Sequence, residues 1–63
     1  MPLAHIYLLE GRTPEQKRVV IQKVTGALME ALGSPPESVR VLLHDVGPEE
    51  WGVGGRTVAE SGR

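Results

Sequence analysis

The first two residues, Met1-Pro2, offer a group that no internal residue can supply. The initiator methionine is generally removed when the next residue is small, and its removal would leave Pro2 with a free secondary amine. An α-amino group titrates near pH ~8, much closer to neutrality than lysine at ~10.4, and desolvation or nearby cations lower its pKa further. Such an amine suits a general base, which works best with a pKa near the working pH. Alternatively, Pro2 is merely tolerated ahead of a strand, where its missing N–H costs little.

The chain has 63 residues, which is room for one domain, predicted over residues 1–63. A domain this small buries only roughly 60% of its unfolded surface, and such scaffolds usually need a staple or a partner. There is no cysteine and there are only two histidines, so neither a disulfide framework nor a structural zinc is expected. Oligomerisation is therefore the predicted source of additional core.

The charge and hydropathy patterns argue against nucleic-acid and membrane partners. Seven basic and eight acidic residues give a net charge of −1 and are interspersed, unlike the basic patch of a nucleic-acid-binding protein. No apolar run approaches the length of a membrane span, and the N-terminus lacks the basic region of a signal peptide. We therefore expect a cytoplasmic protein, and no motif indicates a cofactor or a metal.

Two strands and a helix must position the N-terminus. The runs from Leu3 to Leu9 and from Val39 to Val46 are apolar on both parities, as in strands that are covered on both faces of a parallel sheet. His5, in the first run, is interpreted as a structural residue. A strand, a helix and a second strand form a β-α-β unit with a right-handed crossover. Its helix covers one sheet face, so another subunit is needed to cover the other.

The predicted helix has clear ends. Thr13 is the expected N-cap, Pro14 the first helical residue and Gln16 the partner in a capping box. Gly33 is the expected C-terminal cap. Apolar residues recur between these ends at helical spacing, at Val20, Ile21, Val24, Ala27, Leu28, Ala31 and Leu32.

The last part of the chain is rich in glycine but lacks the pattern of a phosphate-binding loop. Gly54-Gly55 suits a tight turn, which predicts a small β-hairpin between Trp51 and Val58. Trp51 is the only tryptophan. It either caps the core or forms one wall of an apolar pocket.

Taken together, these residues resemble the 4-oxalocrotonate tautomerase (2-hydroxymuconate tautomerase) family of the tautomerase superfamily. The matching segments cover nearly the whole chain without an insertion: Pro2, Leu9-Glu10-Gly11-Arg12, Glu15-Gln16-Lys17, Ser38-Val39-Arg40-Val41 and Trp51-Gly52-Val53-Gly54-Gly55. The resemblance implies an α/β fold with a single β-α-β unit and a short C-terminal β-hairpin, the tautomerase/MIF-like fold. It also implies a homohexamer described as a trimer of dimers.

The resemblance further implies an isomerase that interconverts enol and keto forms of 2-hydroxymuconate-like 2-oxo acids, a step in aromatic degradation, without a cofactor. Pro2 matches the family's general base, and Arg40 matches the arginine that binds the 1-carboxylate and 2-oxygen. Arg12 matches the arginine that holds the far carboxylate. Trp51 matches an aromatic wall residue, phenylalanine in the best-known member, so the pocket is expected to differ in shape. Three apolar residues match lining positions: Leu3, Leu9 and Val53.

The physical chemistry agrees with these roles. Each guanidinium group can bind one carboxylate of a dicarboxylate in bidentate fashion, and cations aimed at a developing enolate stabilise its charge. Strand residues advance ~3.3 Å each, so Arg12 is expected ~25–30 Å from Pro2 of its own chain. If both residues act on one substrate, Arg12 must come from a neighbouring chain. Antiparallel pairing of two first strands would bring it there.

Other functions remain open at this point. A dehalogenase that hydrates 3-haloacrylates, with protonated Pro2 as general acid, belongs to the same superfamily, but its members carry a further arginine where this chain has Leu9. A decarboxylase would need residues from a longer chain. A non-enzymatic alternative is a self-assembling binding module with an inactive site, in which Arg12 and Arg40 are ordinary surface residues.

Overall fold

The computed structural model of the chain describes residues 1–61 and contains the predicted β-α-β unit and hairpin. The elements in chain order are strand β1 (Leu3–Leu9), helix α1 (Pro14–Leu32), a 3₁₀ turn (Pro36–Ser38), strand β2 (Arg40–Val46), strands β3 (Gly52–Val53) and β4 (Arg56–Thr57), and helix α2 (Val58–Ser61). The predicted fold class is confirmed.

Helix α1 begins and ends at the residues that the sequence predicts. The Thr13 hydroxyl accepts a hydrogen bond from the Gln16 amide (3.1 Å), and the Gln16 side chain accepts one from the Thr13 amide (3.0 Å). Gly33 adopts the left-handed conformation (φ 69°), and its amide donates to the Met29 carbonyl (2.8 Å). No helix in the described part of the chain combines the length and the apolar content needed to cross a membrane.

Strands β1 and β2 pair in parallel, in a register that runs from Leu3 opposite Arg40 to Leu9 opposite Val46. The second strand begins one residue later than predicted. The Val39 amide donates back to the Pro36 carbonyl (3.1 Å), so Val39 caps the 3₁₀ turn instead of pairing in the strand.

The two faces of this sheet differ sharply in exposure. The face against α1 holds Ala4, Ile6, Leu8, Val41 and Leu43, which are all half-buried. The opposite face, here called the open face, consists of Leu3, His5, Tyr7, Leu9, Arg40, Leu42, His44 and Val46. On it Leu3 is 57% and Tyr7 61% exposed, although burial of such side chains is favourable. The predicted uncovered apolar face is therefore present in the single chain.

The chain does not enclose a core of its own. Val39 and Val58 are its buried hydrophobic residues within the described range. The radius of gyration is 14.5 Å, whereas a compact chain of this length would have about 11 Å. The accessible surface is 4625 Å², against about 3,950 Å² for a compact monomer of this mass. The fold is therefore flatter and more exposed than an independent domain.

The C-terminal hairpin is built on two glycines. Val53 pairs with Arg56 across the turn, and Gly54 and Gly55 between them both have positive φ (62° and 84°). This is the type I′ geometry that suits two-residue hairpins. The short helix α2 was not predicted, although the Thr57-x-x-Glu60 spacing signals a helix start. Here the Thr57 hydroxyl accepts from the Glu60 amide (3.1 Å), and the Glu60 carboxylate accepts from the Thr57 amide (2.8 Å).

Candidate active site

Three of the sequence-predicted site residues lie together where the parallel strands begin. The Arg40 amide donates to the Pro2 carbonyl (3.0 Å), and Arg40 lies opposite Leu3 in the register. Pro2 is half-buried, whereas Met1 is 85% exposed. The chain therefore holds Pro2 beside the start of β2 and leaves Met1 largely exposed.

The Arg40 side chain is oriented by the turn that precedes it. Its Nη1 donates to the Glu37 carbonyl (2.7 Å). Both the amide and the hydroxyl of Ser38 donate to the Pro35 carbonyl (3.0 and 2.9 Å), which closes the turn. A guanidinium group has five N–H donors. The bond to Glu37 uses one of them, so this exposed side chain keeps donors for an anion.

Arg12 and Leu9 lie at the other end of the sheet. The Glu10 amide donates to the Val46 carbonyl (2.9 Å) and so extends the pairing beyond β1. Arg12 follows on the exposed turn, and no ion pair within residues 1–61 involves it. The six steps of β1 span about 20 Å. Within one chain the geometry therefore separates Arg12 from Pro2.

Trp51 and Val53 belong to the C-terminal hairpin. The Trp51 side chain is half-buried and its carbonyl accepts from the Val58 amide (2.9 Å), while Val53 is 52% exposed. The base of the hairpin lies at the Arg12 end of the sheet, because Pro48 and Ala59 line the same depression as Glu10. The site residues thus form two groups at opposite ends: Pro2, Leu3 and Arg40; Leu9, Arg12, Trp51 and Val53.

The depression itself does not suit an anionic substrate. It has a volume of about 510 Å³ and is lined by Glu10, Asp45, Gly47, Pro48, Glu49, Glu50 and Ala59. Lys17 pairs with one of its four carboxylates, that of Asp45 (2.5 Å). The remaining acidic side chains would repel a dicarboxylate. In the described part of the chain, no three histidine, cysteine or acidic residues form a group that could hold a metal ion.

The sequence interpretation missed an aromatic cluster on the open face. His5 and His44 form a hydrogen bond between their ring nitrogens (Nδ1 to Nε2, 2.8 Å). Tyr7 stacks on His44, with ring centroids 4.5 Å apart. Side chains alternate between the two faces along each strand, so both histidines can be assigned to one face once the parallel register is known.

Comparison with known proteins agrees with the fold. The family model described as "Tautomerase enzyme" matches residues 2–61. The chain is 57% identical to a 2-hydroxymuconate tautomerase of Comamonas testosteroni, with both chains covered completely. A 4-oxalocrotonate tautomerase isozyme structure from Methylibium petroleiphilum has a TM-score of 0.96 at 61% identity, covering 98% of this chain and 100% of that one. A heterohexamer 4-oxalocrotonate tautomerase from Chloroflexus aurantiacus J-10-fl has a TM-score of 0.91 at 38% identity, covering 95% and 97%. The chain therefore belongs to the tautomerase family of isomerases.

Proposed function

We propose that this tautomerase acts on 2-hydroxymuconate or a closely similar dienol of a 2-oxo dicarboxylic acid. The Comamonas testosteroni relative, identical at 57% of positions over the full length, is a 2-hydroxymuconate tautomerase. The structural observation that carries the proposal is the hydrogen bond between the Arg40 amide and the Pro2 carbonyl. It keeps a cationic side chain and the chain's start at one end of the sheet.

In the proposed reaction, Pro2 is the general base. Loss of Met1 frees the Pro2 nitrogen, and because Met1 is 85% exposed, little packing is lost with it. The neutral amine takes the proton of the enol hydroxyl, and the electrons of the O–H bond form the 2-oxo group. The conjugated double bonds of the substrate shift, and Pro2 returns the proton to a carbon atom of the substrate. Atoms and electrons balance without a cofactor.

The two arginines bind opposite ends of the substrate. Arg40 binds the 1-carboxylate and 2-oxygen, where negative charge develops during deprotonation, so its contribution is greatest in the transition state. Arg12 binds the remote carboxylate and draws electron density toward it. Trp51 forms an aromatic wall, with apolar lining from Leu3, Leu9 and Val53.

The active site requires more than one chain. The length of β1 separates Pro2 from Arg12 in one subunit, so a neighbouring copy supplies Arg12 to each Pro2. The exposed apolar side chains of Leu3 and Tyr7 provide the surface for assembly. We propose a homohexamer arranged as a trimer of dimers, located in the cytoplasm and acting in aromatic degradation. A hexameric structural relative, although a heterohexamer, supports this number.

A spectrophotometric substrate screen tests the activity. Protein with a verified N-terminus is assayed with 2-hydroxymuconate, phenylenolpyruvate and 3-chloroacrylate. We expect the highest kcat/KM for 2-hydroxymuconate, because only this substrate engages both arginines as a conjugated dicarboxylate. Phenylenolpyruvate tests ketonisation with a single carboxylate. Faster turnover of 3-chloroacrylate would overturn the proposal in favour of a dehalogenase.

A further inference from the structure

The hydrogen bond between His5 and His44 limits how many protons the two rings can hold. Their Nδ1 and Nε2 atoms are 2.8 Å apart, so one nitrogen must carry the hydrogen and the other must offer a lone pair. The pair can accept one additional proton and keep this bond, since the charged ring still donates to the neutral one. A second proton gives both nitrogens a hydrogen. The bond is then lost and two cations lie side by side.

Aromatic packing holds the two rings in this arrangement. The His5 and His44 rings are nearly parallel, with centroids 5.0 Å apart and an interplanar angle of 17°, which suits a hydrogen bond between ring edges, and the Tyr7 ring stacks on His44 at 4.5 Å and 18°. Either ring could turn away from a second cation only by giving up these contacts. The doubly protonated pair therefore conflicts with the packed cluster.

The charges around the pair offer no compensation. On the open face, the other ionisable side chains are the Tyr7 phenol and the Arg40 guanidinium, which adds positive charge. Asp45 lies on the opposite face of β2 and pairs with Lys17 of α1. Within residues 1–61, the open face thus carries no carboxylate that could neutralise a second protonated histidine.

A second copy of this chain is the occupant that fits the open face. Leu3 and Tyr7, which are both largely exposed in the single chain, lie on this face. The accessible surface of the chain exceeds that of a compact monomer by several hundred Å². This excess is comparable to the roughly 800 Å² that each partner buries in a stable interface. A second copy that packs through its own open face would bring further apolar side chains of that face and no carboxylate. Water hydrates a charged histidine pair on a free chain, whereas an interface does not.

We propose that the His5–His44 pair makes the association between copies sensitive to pH. The inference rests on the proposed assembly and goes beyond the proposed reaction. Assembled chains hold at most one added proton per pair, while free chains can hold two. Wherever free chains bind more protons than assembled chains do, the stability of the assembly rises with pH. That stability is lost as the pH falls. Histidine is the side chain that commonly changes charge between about pH 5 and 8.

Sedimentation velocity at several protein concentrations tests the proposal between about pH 8 and about pH 5.5, the range of histidine titration. For each proton taken up in the dissociation step, the dissociation constant should rise by up to about tenfold for each unit by which the pH falls. His5→Gln and His44→Gln keep a hydrogen-bonding side chain without a titrating ring, and both should abolish most of this dependence. Tyr7→Phe, a control on the same face that keeps the stacked ring, should retain it.

Three results distinguish the possible failures. An assembly of equal strength at both pH values overturns the switch, as does wild-type pH dependence in both glutamine variants. A monomer at the upper end of this range, about pH 8, overturns the assembly on which the switch and the supply of Arg12 by a neighbouring copy both depend, and the substrate screen then judges the reaction at Pro2 and Arg40. Proton uptake on dilution in weak buffer provides a test that needs no variant. The wild-type protein should take up protons as it dissociates near pH ~6, and release or no exchange would contradict the proposal.

Discussion

The backbone amide of Arg40 donates to the carbonyl of Pro2 at 3.0 Å, while the guanidinium of the same residue donates to the Glu37 carbonyl at 2.7 Å. One arginine is thus fixed at its backbone to the start of the chain and at its side chain to the 3₁₀ turn. Among residues 1–61, no ion pair restrains Arg12 on its exposed turn. The two arginines are therefore expected to contribute differently to turnover.

Arg40→Ala should mainly lower kcat, because the lost interaction is strongest when charge develops on the 2-oxygen. Arg12→Ala should also raise KM, because it removes binding to the remote carboxylate in both the ground state and the transition state. Loss of a charged hydrogen-bonding partner corresponds to roughly 10- to 100-fold in kcat/KM. Steady-state kinetics with 2-hydroxymuconate measures both effects.

A monocarboxylate supplies the internal control for Arg12. With phenylenolpyruvate, which has no remote carboxylate, Arg12→Ala should change kcat/KM much less than Arg40→Ala does. Arg18→Ala offers a matched surface control, since Arg18 pairs with Glu15 on the helix. Equal losses from Arg12→Ala on both substrates would remove Arg12 from its assigned role.

Folding of this protein should depend on its concentration. A single chain exposes Leu3 and Tyr7 and has a radius of gyration of 14.5 Å, so burial between copies is expected to supply much of its stability. In an obligate oligomer the apparent stability rises with protein concentration. Thermal unfolding followed by circular dichroism over a wide dilution series should show Tm increasing. An invariant Tm, with a folded monomer in sedimentation, would contradict this expectation.

The local structure follows closely from the sequence because short-range chemistry determines it. Thr13 and Gln16 specify the helix start, Gly33 its end, and Gly54-Gly55 the hairpin turn, and the structure confirms each of them. The shift of the second strand's start to Arg40 arises from a backbone hydrogen bond of the preceding turn. No side-chain pattern indicates such a bond.

The grouping of the candidate site residues depends on longer-range geometry. Strand length alone predicted the separation of Arg12 from Pro2. The contact of Pro2 with Arg40 depends on the parallel register, and the pairing of His5 with His44 depends on register and parity together. The site's completion by neighbouring chains stays a prediction, because it depends on surfaces that meet only in an assembly.

Two glycines with different backbone geometry should respond oppositely to alanine. Gly54 has φ 62°, and a residue with a Cβ in such a conformation costs about 1–2 kcal/mol. Gly26 lies in α1, and its Cβ would meet nothing within 4 Å, so alanine there should stabilise the helix by about 0.5–1 kcal/mol. Urea unfolding at one fixed protein concentration compares the variants. A stabilising Gly54→Ala would exclude the type I′ turn in solution.

The last prediction concerns the N-terminal amine. A Pro2 nitrogen that is acylated by Met1 is an amide, without a basic lone pair, so protein that retains Met1 should lose the contribution of the general base, about 10²–10⁴-fold in kcat/KM. For processed protein, kcat/KM should rise with pH through one ionisation near neutrality, because the active form is the deprotonated amine. Intact-mass spectrometry of each assayed sample identifies its N-terminus.

Two variants separate the amine from other effects of changing a proline. Pro2→Ala should be impaired but active, since its primary amine remains available as a less well placed base. Pro14→Ala changes a proline at the first helical position and leaves the N-terminus intact, so its pH profile should match that of the wild type. Full activity from a homogeneous chain that carries Met1 would mean that another group takes the proton, and the assignment of Pro2 as the base would have to be abandoned.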